Sequence, residues 1–506
     1  MTANTPLTSK LPPHTLADWQ ALAAALSFET RAFVDGEFVS AVNGSTLASI
    51  NPATGETLAE VASCDTADAE LATQAARAAF EGGAWSRCDP GQRKRVLLRL
   101  AELVNAHRNE LALLDTLDMG KPISSSLGDV AGTVACLRYQ AECIDKLYGE
   151  VAPTGAGALG LVLREPMGVV AAIVPWNFPL MMTSWKIAPA LAAGNSVILK
   201  PSEKSPLSAL RLAQLAQEAG IPQGVFQVLP GYGHTVGKAL ALSMEVDCLA
   251  FTGSTGVGKQ LMQYAGQSNL KRVFLECGGK SPNIVFADCQ QLDAVAQSAA
   301  AAIFHNQGEV CIAGSRLLVE NSIREDFVAR VVKAAEQMQP GDPLDPNSFM
   351  GAMVDEAQYQ RVLDYIRLGV SEGATLKLGG EASASKGYFL PPTIFDNVTP
   401  EMRIGREEIF GPVLSVFGFD SEEQAIALAN DSDYGLAAGV WSQDIDRIMR
   451  VSRRLQSGQV YVNNWAGVDQ TVPFGGVKQS GNGRDKSLHA QEKYCEVKTV
   501  WMSLSV

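Results

Sequence analysis

The chain predicts an α/β fold built from two doubly wound parallel-sheet domains and a small β-hairpin unit. Three observations carry that expectation. Between 169 and 276, short apolar, often β-branched runs alternate with helical patterns, as in a parallel sheet covered on both faces. A second alternation of the same kind starts at Asn283 and runs through 464. A glycine-interrupted β-rich stretch at 149–168 and a β-rich tail from Tyr494 to Leu504 fit neither alternation and need partners of their own. At 506 residues, the chain is long enough for two or three domains, each with its own core.

Residues 16–32 read as an entry helix capped by Thr15. The Asp35-Gly36 pair predicts a hairpin turn between 33 and 39, and Asn51-Pro52-Ala53-Thr54-Gly55 predicts another. Helical periodicity then covers 66–83, 90–114 and about 126–147, enough to shield a sheet built later in the chain. The 149–168 stretch reads as an excursion hairpin, either a surface flap or an oligomer contact. In the first alternation, strands fall at Val169–Val174, Ser196–Lys200, Val225–Leu229, Cys248–Thr252 and Arg272–Glu276, with helices at 180–193, 206–219, 234–243 and 255–266. Special residues cluster where those strands end: Pro175-Trp176-Asn177, Lys200-Pro201-Ser202-Glu203, Gly231 and Gly233, Gly253-Ser254, and Glu276. Ligands of open α/β sheets bind beyond the strands' carboxyl ends. The second alternation predicts strands at 283–286, 316–320, 413–419, 437–442 and 458–462, with helices near 292–304, 323–338, 356–372, 421–429 and 444–455. For the terminal strand, the hairpin or a neighbouring subunit would supply the pairing edge.

Composition narrows the function classes. A net charge of −13 argues against a broad nucleic-acid or anionic-membrane surface. The nine cysteines form no CxxC pair, and their scatter fits a reducing cytoplasm better than a disulfide framework. None of the five histidines stands in an HExxH or HxxxH pattern, so no metal site is expected. Met1 to Pro13 is polar, without the apolar core of a signal peptide, and no run of 18 apolar residues would span a membrane.

Five clusters carry chemistry. Cys311 lies between a helix-like and a strand-like run, flanked by Gly308 and Gly314. A loop cysteine there can be a nucleophile, although most free cysteines are buried small hydrophobes. Phe251-Thr252-Gly253-Ser254-Thr255-Gly256-Val257-Gly258-Lys259 joins a strand to a helix and offers either an anion site or a plain tight turn. It mimics a Walker A loop, but Gln260 replaces the magnesium-binding hydroxyl and weakens an NTPase reading. Lys200 and Glu203 could bond ribose hydroxyls or form an exposed charged loop. Glu276, at a strand end before Gly278-Gly279, suits a general base or a salt bridge. Asn177, between prolines, offers an uncharged oxyanion donor or ordinary turn chemistry.

Taken together, seven ordered motifs resemble the aldehyde dehydrogenase superfamily. They are Pro175-Trp176-Asn177-Phe178-Pro179, Lys200-Pro201-Ser202-Glu203, Phe251-Thr252-Gly253-Ser254-Thr255, Leu275-Glu276-Cys277-Gly278-Gly279-Lys280, Asn306-Gln307-Gly308-Glu309-Val310-Cys311, Glu408-Ile409-Phe410-Gly411-Pro412 and Pro473-Phe474-Gly475-Gly476. The match covers nearly the whole chain from about residue 30. The resemblance implies a nucleotide-binding domain (17–148 and 168–279), a catalytic domain (280–480) and an oligomerisation hairpin with a C-terminal strand (149–167 and 494–506), assembled as a homodimer or homotetramer. It implies Cys311 as nucleophile, Glu276 as the base for the hydrolytic water, and the Asn177 side chain with the Cys311 N–H as oxyanion hole. Val174, Trp176, Lys200, Ser202, Glu203, Gly233, Gly237, Gly253, Ser254, Glu408 and Phe410 would bind NAD. Glu203 would repel the 2′-phosphate of NADP, while Lys200 and Ser202 would tolerate it. Phe178, Met182, Trp185, His305, Val310, Ile312, Trp465 and Phe474 would line the aldehyde tunnel, with Asp469 as a charge partner for an amine.

The sequence departs from the family pattern in three places. Cys277 stands where Leu, Ala or Gly is frequent. Asp485 stands where many members have a Glu linked with a lysine, here Lys186, in a proton relay. Ile312 replaces a small polar residue. Within the family, the runs Ala188-Pro189-Ala190-Leu191-Ala192-Ala193-Gly194-Asn195 and Val472 to Ala490 look most similar to bacterial γ-glutamyl-γ-aminobutyraldehyde dehydrogenases of polyamine catabolism; indole-3-acetaldehyde dehydrogenases look similar too. A non-redox thiol hydrolase, a CoA-dependent acyl transferase and a non-catalytic binding protein are the alternatives. CoA-dependent members of the family usually lack the general-base Glu, so the presence of Glu276 argues for hydrolysis of a thioester.

Overall fold

The structure is a computed structural model that describes residues 14–383, 386–467 and 469–505. The polar stretch Met1 to Pro13 and the last residue of the predicted 494–506 tail lie outside the described residues.

Apolar runs without alternation set the centre of the first sheet. Every residue of Val169–Ile173, Ser196–Lys200 and Cys248–Thr252 is buried, as a parallel strand covered on both faces requires. The sheet has eight strands in the order Glu37–Val39, Ala32–Val34, Phe226–Val228, Ser196–Lys200, Val169–Ile173, Cys248–Thr252, Arg272–Glu276 and Gly481–Asn482. The five central strands run parallel, and the added edge strands are antiparallel. Register puts Thr252 opposite Glu276 and Ile173 opposite Lys200, so the strand ends rich in special residues share one edge. The second sheet runs Thr375–Leu378, Thr393–Asp396, Val413–Phe419, Arg316–Glu320, Pro282–Val285, Ala437–Trp441 and Gln459–Val462, with only the first pairing antiparallel.

The terminal strand finds its partner in its own chain. Cys495–Ser503 pairs antiparallel along all of Ala158–Pro166, and Glu150–Ala152 completes a three-stranded sheet. Among the described residues, no helix is long and apolar enough to cross a membrane.

Several predicted elements have different bounds. The entry helix stops at Ala24, not 32. Its start is as expected: Thr15 and Asp18 form a capping box. At its end, Ala25 N and Leu26 N bond the carbonyls of Leu22 and Ala23, a tightened last turn, and further on the Glu29 carboxylate accepts from the N–H groups of Thr30 and Arg31. The 90–114 helix is two helices, Pro90–Ala106 and Arg108–Met119, broken at His107, whose ring contacts Glu110 and Arg211. The 126–147 helix spans Ile123–Cys143. The helix expected at 234–243 opens with a π turn, Gly233–Gly237, and continues as Lys238–Leu242. Strands Thr375–Leu378 and Thr393–Asp396 carry no period long enough to read, and they escape the sequence analysis.

One side chain ties the start of a central strand, a helix and the C-terminal segment together. Asn195 is fully buried; its Oδ1 accepts from Gly168 N at 2.9 Å, and its Nδ2 donates to Ala190 O and Tyr494 O, each at 3.0 Å. Asn195→Ala would strand the Gly168 N–H and leave the Tyr494 carbonyl with Met167 N as its remaining donor. It should lower the unfolding free energy by about 1–3 kcal/mol, as measured by denaturant titration.

Candidate active site

The loop that carries Cys311 is held in an unusual conformation. Asn306, Gln307 and Gly308 are consecutive left-handed residues, with φ of 49°, 56° and 71°. Gly308 has no alternative, because a Cβ would overlap the Gly411 carbonyl. Side chains hold the other two. Gln307 Nε2 donates to Ala352 O at 3.1 Å, and its Oε1 accepts from Gly351 N at 2.9 Å. Asn306 Nδ2 donates to Asn177 O at 3.1 Å. Glu309 Oε1 accepts from Val354 N at 3.1 Å, and the Glu309 carbonyl accepts from Asn177 Nδ2 at 2.8 Å. The loop is thereby clamped to 351–354 on one side and to Asn177 on the other. It presents Cys311 to a cavity of about 260 Å³.

Asn177, Glu276 and Cys311 all line that cavity. Burial pushes the Cys311 thiol up to about 12, and the nearby Glu408 and Glu276 carboxyls push the same way. Glu276 is buried, and neither of its oxygens has a hydrogen-bond partner. Desolvation, then the negative Asp485, hold its carboxyl well above the ordinary range; Lys186, Lys493 and Arg484 pull it back. Asp485 reaches the same cavity and is itself fully buried. Lys186 bonds its Oδ2 at 2.5 Å and Lys493 bonds its Oδ1. Against the cost of burial, these two lysines keep Asp485 below the usual carboxylate range.

The cavity's other wall is made for a close approach. Glu408 Oε1 accepts from Gly279 N at 3.0 Å, and burial pushes its carboxyl up to about 7. A Cβ on Gly278 would overlap that carboxyl, and one on Gly279 would lie 2.5 Å from the Cys311 carbonyl. Phe410, with φ of 61°, sets its ring edge-on to Trp176 at 5.3 Å. At the neighbouring strand ends, Lys200 is buried and bonds Glu203 at 3.0 Å. Ser254 caps helix Thr255–Gln267 through the Val257 N–H. Gly233 leaves open space where a side chain would stand, whereas Gly237 packs on Lys200 and Ile173.

Trp176, Asn177, Phe178, Met182, Trp185, Gly253, Ser254, Glu276, Val310, Cys311, Ile312, Glu408, Phe410 and Phe474 share the cavity. Val174, Lys200, Ser202, Glu203, Gly233 and Gly237 do not line it; Val174 N donates to Lys200 O at 3.1 Å. His305 is exposed and Trp465 packs against Gly314, Gly439 and Tyr461, so neither lines the cavity. Asp469 bonds Thr471 on the surface. Met181, Thr252, Gln358, Arg361 and Leu436 line the cavity without having been read from the sequence. Gln358 and Arg361 stand one turn apart on helix Glu356–Ser371 and hold the Ile409–Phe410 and Glu408 carbonyls. Their i, i+3 spacing was the only available signal.

A family model described as the aldehyde dehydrogenase family matches residues 38–500. The chain belongs to the aldehyde dehydrogenase family. It is an NAD(P)-dependent aldehyde dehydrogenase. Among its relatives, the NADP/NAD-dependent aldehyde dehydrogenase PuuC of Escherichia coli is 55% identical over 492 residues, covering 97% of this chain and 99% of that one. A structure of the P. syringae indole-3-acetaldehyde dehydrogenase with NAD+ bound is 58% identical, with a TM-score of 0.96, over 97% of this chain and 100% of that one. The γ-glutamyl-γ-aminobutyraldehyde dehydrogenase of Burkholderia cenocepacia is 56% identical, with a TM-score of 0.95 and the same coverage.

The tight packing at Gly278 yields a test of the dehydrogenase. Gly278→Ala should displace the Glu408 carboxyl and break its bond to Gly279 N. Loss of a hydrogen bond to a charged group is worth about 1.5–3 kcal/mol, and on the proposal below that Glu408 holds a cofactor ribose, KM for NAD+ should rise by about ten- to hundred-fold with the fold intact.

Proposed function

We propose that the enzyme converts its aldehyde to a carboxylic acid in two half-reactions, with Cys311 as nucleophile, Glu276 as general base and Asn177 as an oxyanion donor. The observation that carries this reading is the unpartnered, buried Glu276 carboxyl in one cavity with Cys311. A carboxyl without a protein partner is free to take a proton from water, and its raised proton affinity suits a base working near neutral pH.

The residues fit a dinucleotide. The open space at Gly233, the N-terminus of helix Thr255–Gln267 at the strand-end edge, and the buried Lys200–Glu203 pair would hold pyrophosphate and ribose. Glu408 would hold the second ribose. When bound, the dinucleotide supplies the hydride acceptor. Glu203 favours NAD over NADP by repelling a 2′-phosphate, and Lys200 leaves room for both.

The thiol of Cys311 gives its proton to solvent water and its sulfur adds to the aldehyde carbonyl, forming a tetrahedral thiohemiacetal. Asn177 Nδ2 has a second N–H beyond the one given to Glu309 O, and with the Cys311 N–H it would steady the oxyanion. Departure of hydride leaves a thioester on Cys311. Glu276 then deprotonates a water, the hydroxide adds to the thioester carbonyl, and the thiolate leaves.

For the substrate we favour an amino- or γ-glutamylamino-aldehyde of polyamine catabolism, supported by the likeness to the Burkholderia cenocepacia enzyme. A second reading, indole-3-acetaldehyde, is favoured by the P. syringae relative and by the Trp185–Phe474 edge contact at 5.0 Å in the cavity wall. The nine unpaired cysteines support a cytoplasmic enzyme. Exposed Val151, Val497 and Trp501 on the three-stranded sheet support a dimer or tetramer.

Cys311→Ala should abolish NADH formation. Glu276→Gln should leave the first burst of NADH while slowing later turnovers, with acyl-enzyme visible by mass spectrometry. Asn177→Ala should lose about 10²–10³ in kcat. Among substrates, kcat/KM should be larger for γ-glutamyl-γ-aminobutyraldehyde or γ-aminobutyraldehyde than for indole-3-acetaldehyde; the reverse order would establish the second reading.

A further inference from the structure

Behind Glu276 lies a cluster of three buried charged side chains. Asp485 comes from the loop before the last helix, Lys186 from helix Pro179–Ala193, and Lys493 from just before the terminal strand. All three are nearly inaccessible to solvent. One lysine bonds each oxygen of the carboxylate. A lone Lys–Asp pair would be electrically balanced. With both lysines protonated and Asp485 ionised, two cations face one anion, and the cluster then carries one positive charge in excess.

We propose that Lys493 is a positioning residue for the hydrolytic half-reaction, acting through Asp485: its charge gives the cluster a net positive potential at Glu276 and so keeps the base ionised enough to accept a proton from water. The proposal rests on the reading of Glu276 as general base. Geometry supports it from three sides. Glu276 and Asp485 line the same cavity. Neither Glu276 oxygen is bonded to protein, so the carboxyl is not held ionised by a direct partner, and its proton affinity answers to the surrounding field. Lys493 also borders a second cavity of about 600 Å³ on the other side of the cluster, shared with Arg272, Arg484, Glu492 and Glu496.

The sign of the effect follows from the charges around each group. Burial and Asp485 disfavour ionised Glu276, while Lys186, Lys493 and Arg484 favour it. Arg484 is occupied by the Gly476 and Gly483 carbonyls. Lys493 itself faces Asp485, Lys186 and Glu276, with the Tyr494 ring at 5.1 Å and the Cys248 thiol nearby. On its open side stand His489, Glu492, Arg272 and Glu496, the last two paired at 3.2 Å. Removing the Lys493 charge leaves Lys186 and Asp485 neutralising one another, and Glu276 then holds its proton to higher pH. Removing the Asp485 charge instead leaves two cations, and Glu276 releases its proton at lower pH.

The test is the pH dependence of deacylation, read as the steady-state rate after the NADH burst. Lys493→Met should move the acid limb to higher pH by about one unit, a loss of about tenfold on that limb. Asp485→Asn should move it the other way. The double variant Asp485→Asn/Lys493→Met, again with one excess cation, should return it toward the wild-type position, and Lys493→Arg should leave it there. A structural role alone would lower the rate in every variant without opposite shifts, and that outcome overturns the proposal. So does an unmoved limb in Lys493→Met. If Lys493→Met does not fold, the limb positions in Asp485→Asn and Lys493→Arg decide the question by the same criterion. Glu276→Gln separates the two levels: if it fails to slow deacylation, the base assignment falls; if it slows deacylation but the limb is indifferent to Lys493, only the role of Lys493 falls.

Discussion

The loss of water around Glu276 is the constraint on which the site depends. The carboxyl sits in the cavity with no protein partner for either oxygen, and the same desolvation raises the proton affinities of Cys311 and Glu408. Three acidic groups around one buried cavity repel one another when ionised. The fold answers with buried lysines set behind the cavity rather than within it. Lys186 and Lys493 neutralise Asp485 and leave positive charge to spare, without giving Glu276 a hydrogen bond that would occupy it. A carboxylate locked in a salt bridge would be a poor base; one with no nearby cation would stay protonated.

That arrangement needs segments far apart in the chain. Glu276 ends a central strand of the first sheet, and the strand beside it, Gly481–Asn482, comes from more than 200 residues later, with Glu276 opposite Gly481 in register. The residues just beyond bring Asp485 and Lys493 to the cavity's rear, and the next segment pairs with Ala158–Pro166. Asn195 bonds both Gly168 at the start of the strand Val169–Ile173 and Tyr494 beside Lys493. The C-terminal strand is thus anchored one residue away from the cluster that faces Glu276.

Much of this was legible. The five parallel strands of the first sheet read directly, because four of them are fully buried runs and all are short segments bounded by turn residues. Cys311, Glu276, Asn177 and Glu408 were found by motif, and all four line one cavity. Where the reading slipped, the cause was local bonding that a periodic pattern does not register. Ala25 and Leu26 close the entry helix with tighter bonds to the carbonyls three residues back, and His107 divides one helical pattern into two. His305 and Trp465 were expected around the tunnel by their position in the family, and they do not line the cavity around Cys311. Two left-handed residues after His305 turn the backbone so that it faces solvent while Val310 and Ile312 face the cavity.

The sequence by itself determined the fold class, the family and the acidic and thiol groups of the chemistry, because each is carried by residue type and by spacing along the chain. It also exposed Asp485 as a departure worth following. Only the tertiary structure decided that Asp485 has two lysines and not one. Lys493 lies eight positions along the chain, in no motif, with nothing in its spacing to mark it. Charge at a buried site depends on which side chains converge in space after water is removed, and that convergence is set by the pairing of the last strands with the first sheet and with the hairpin.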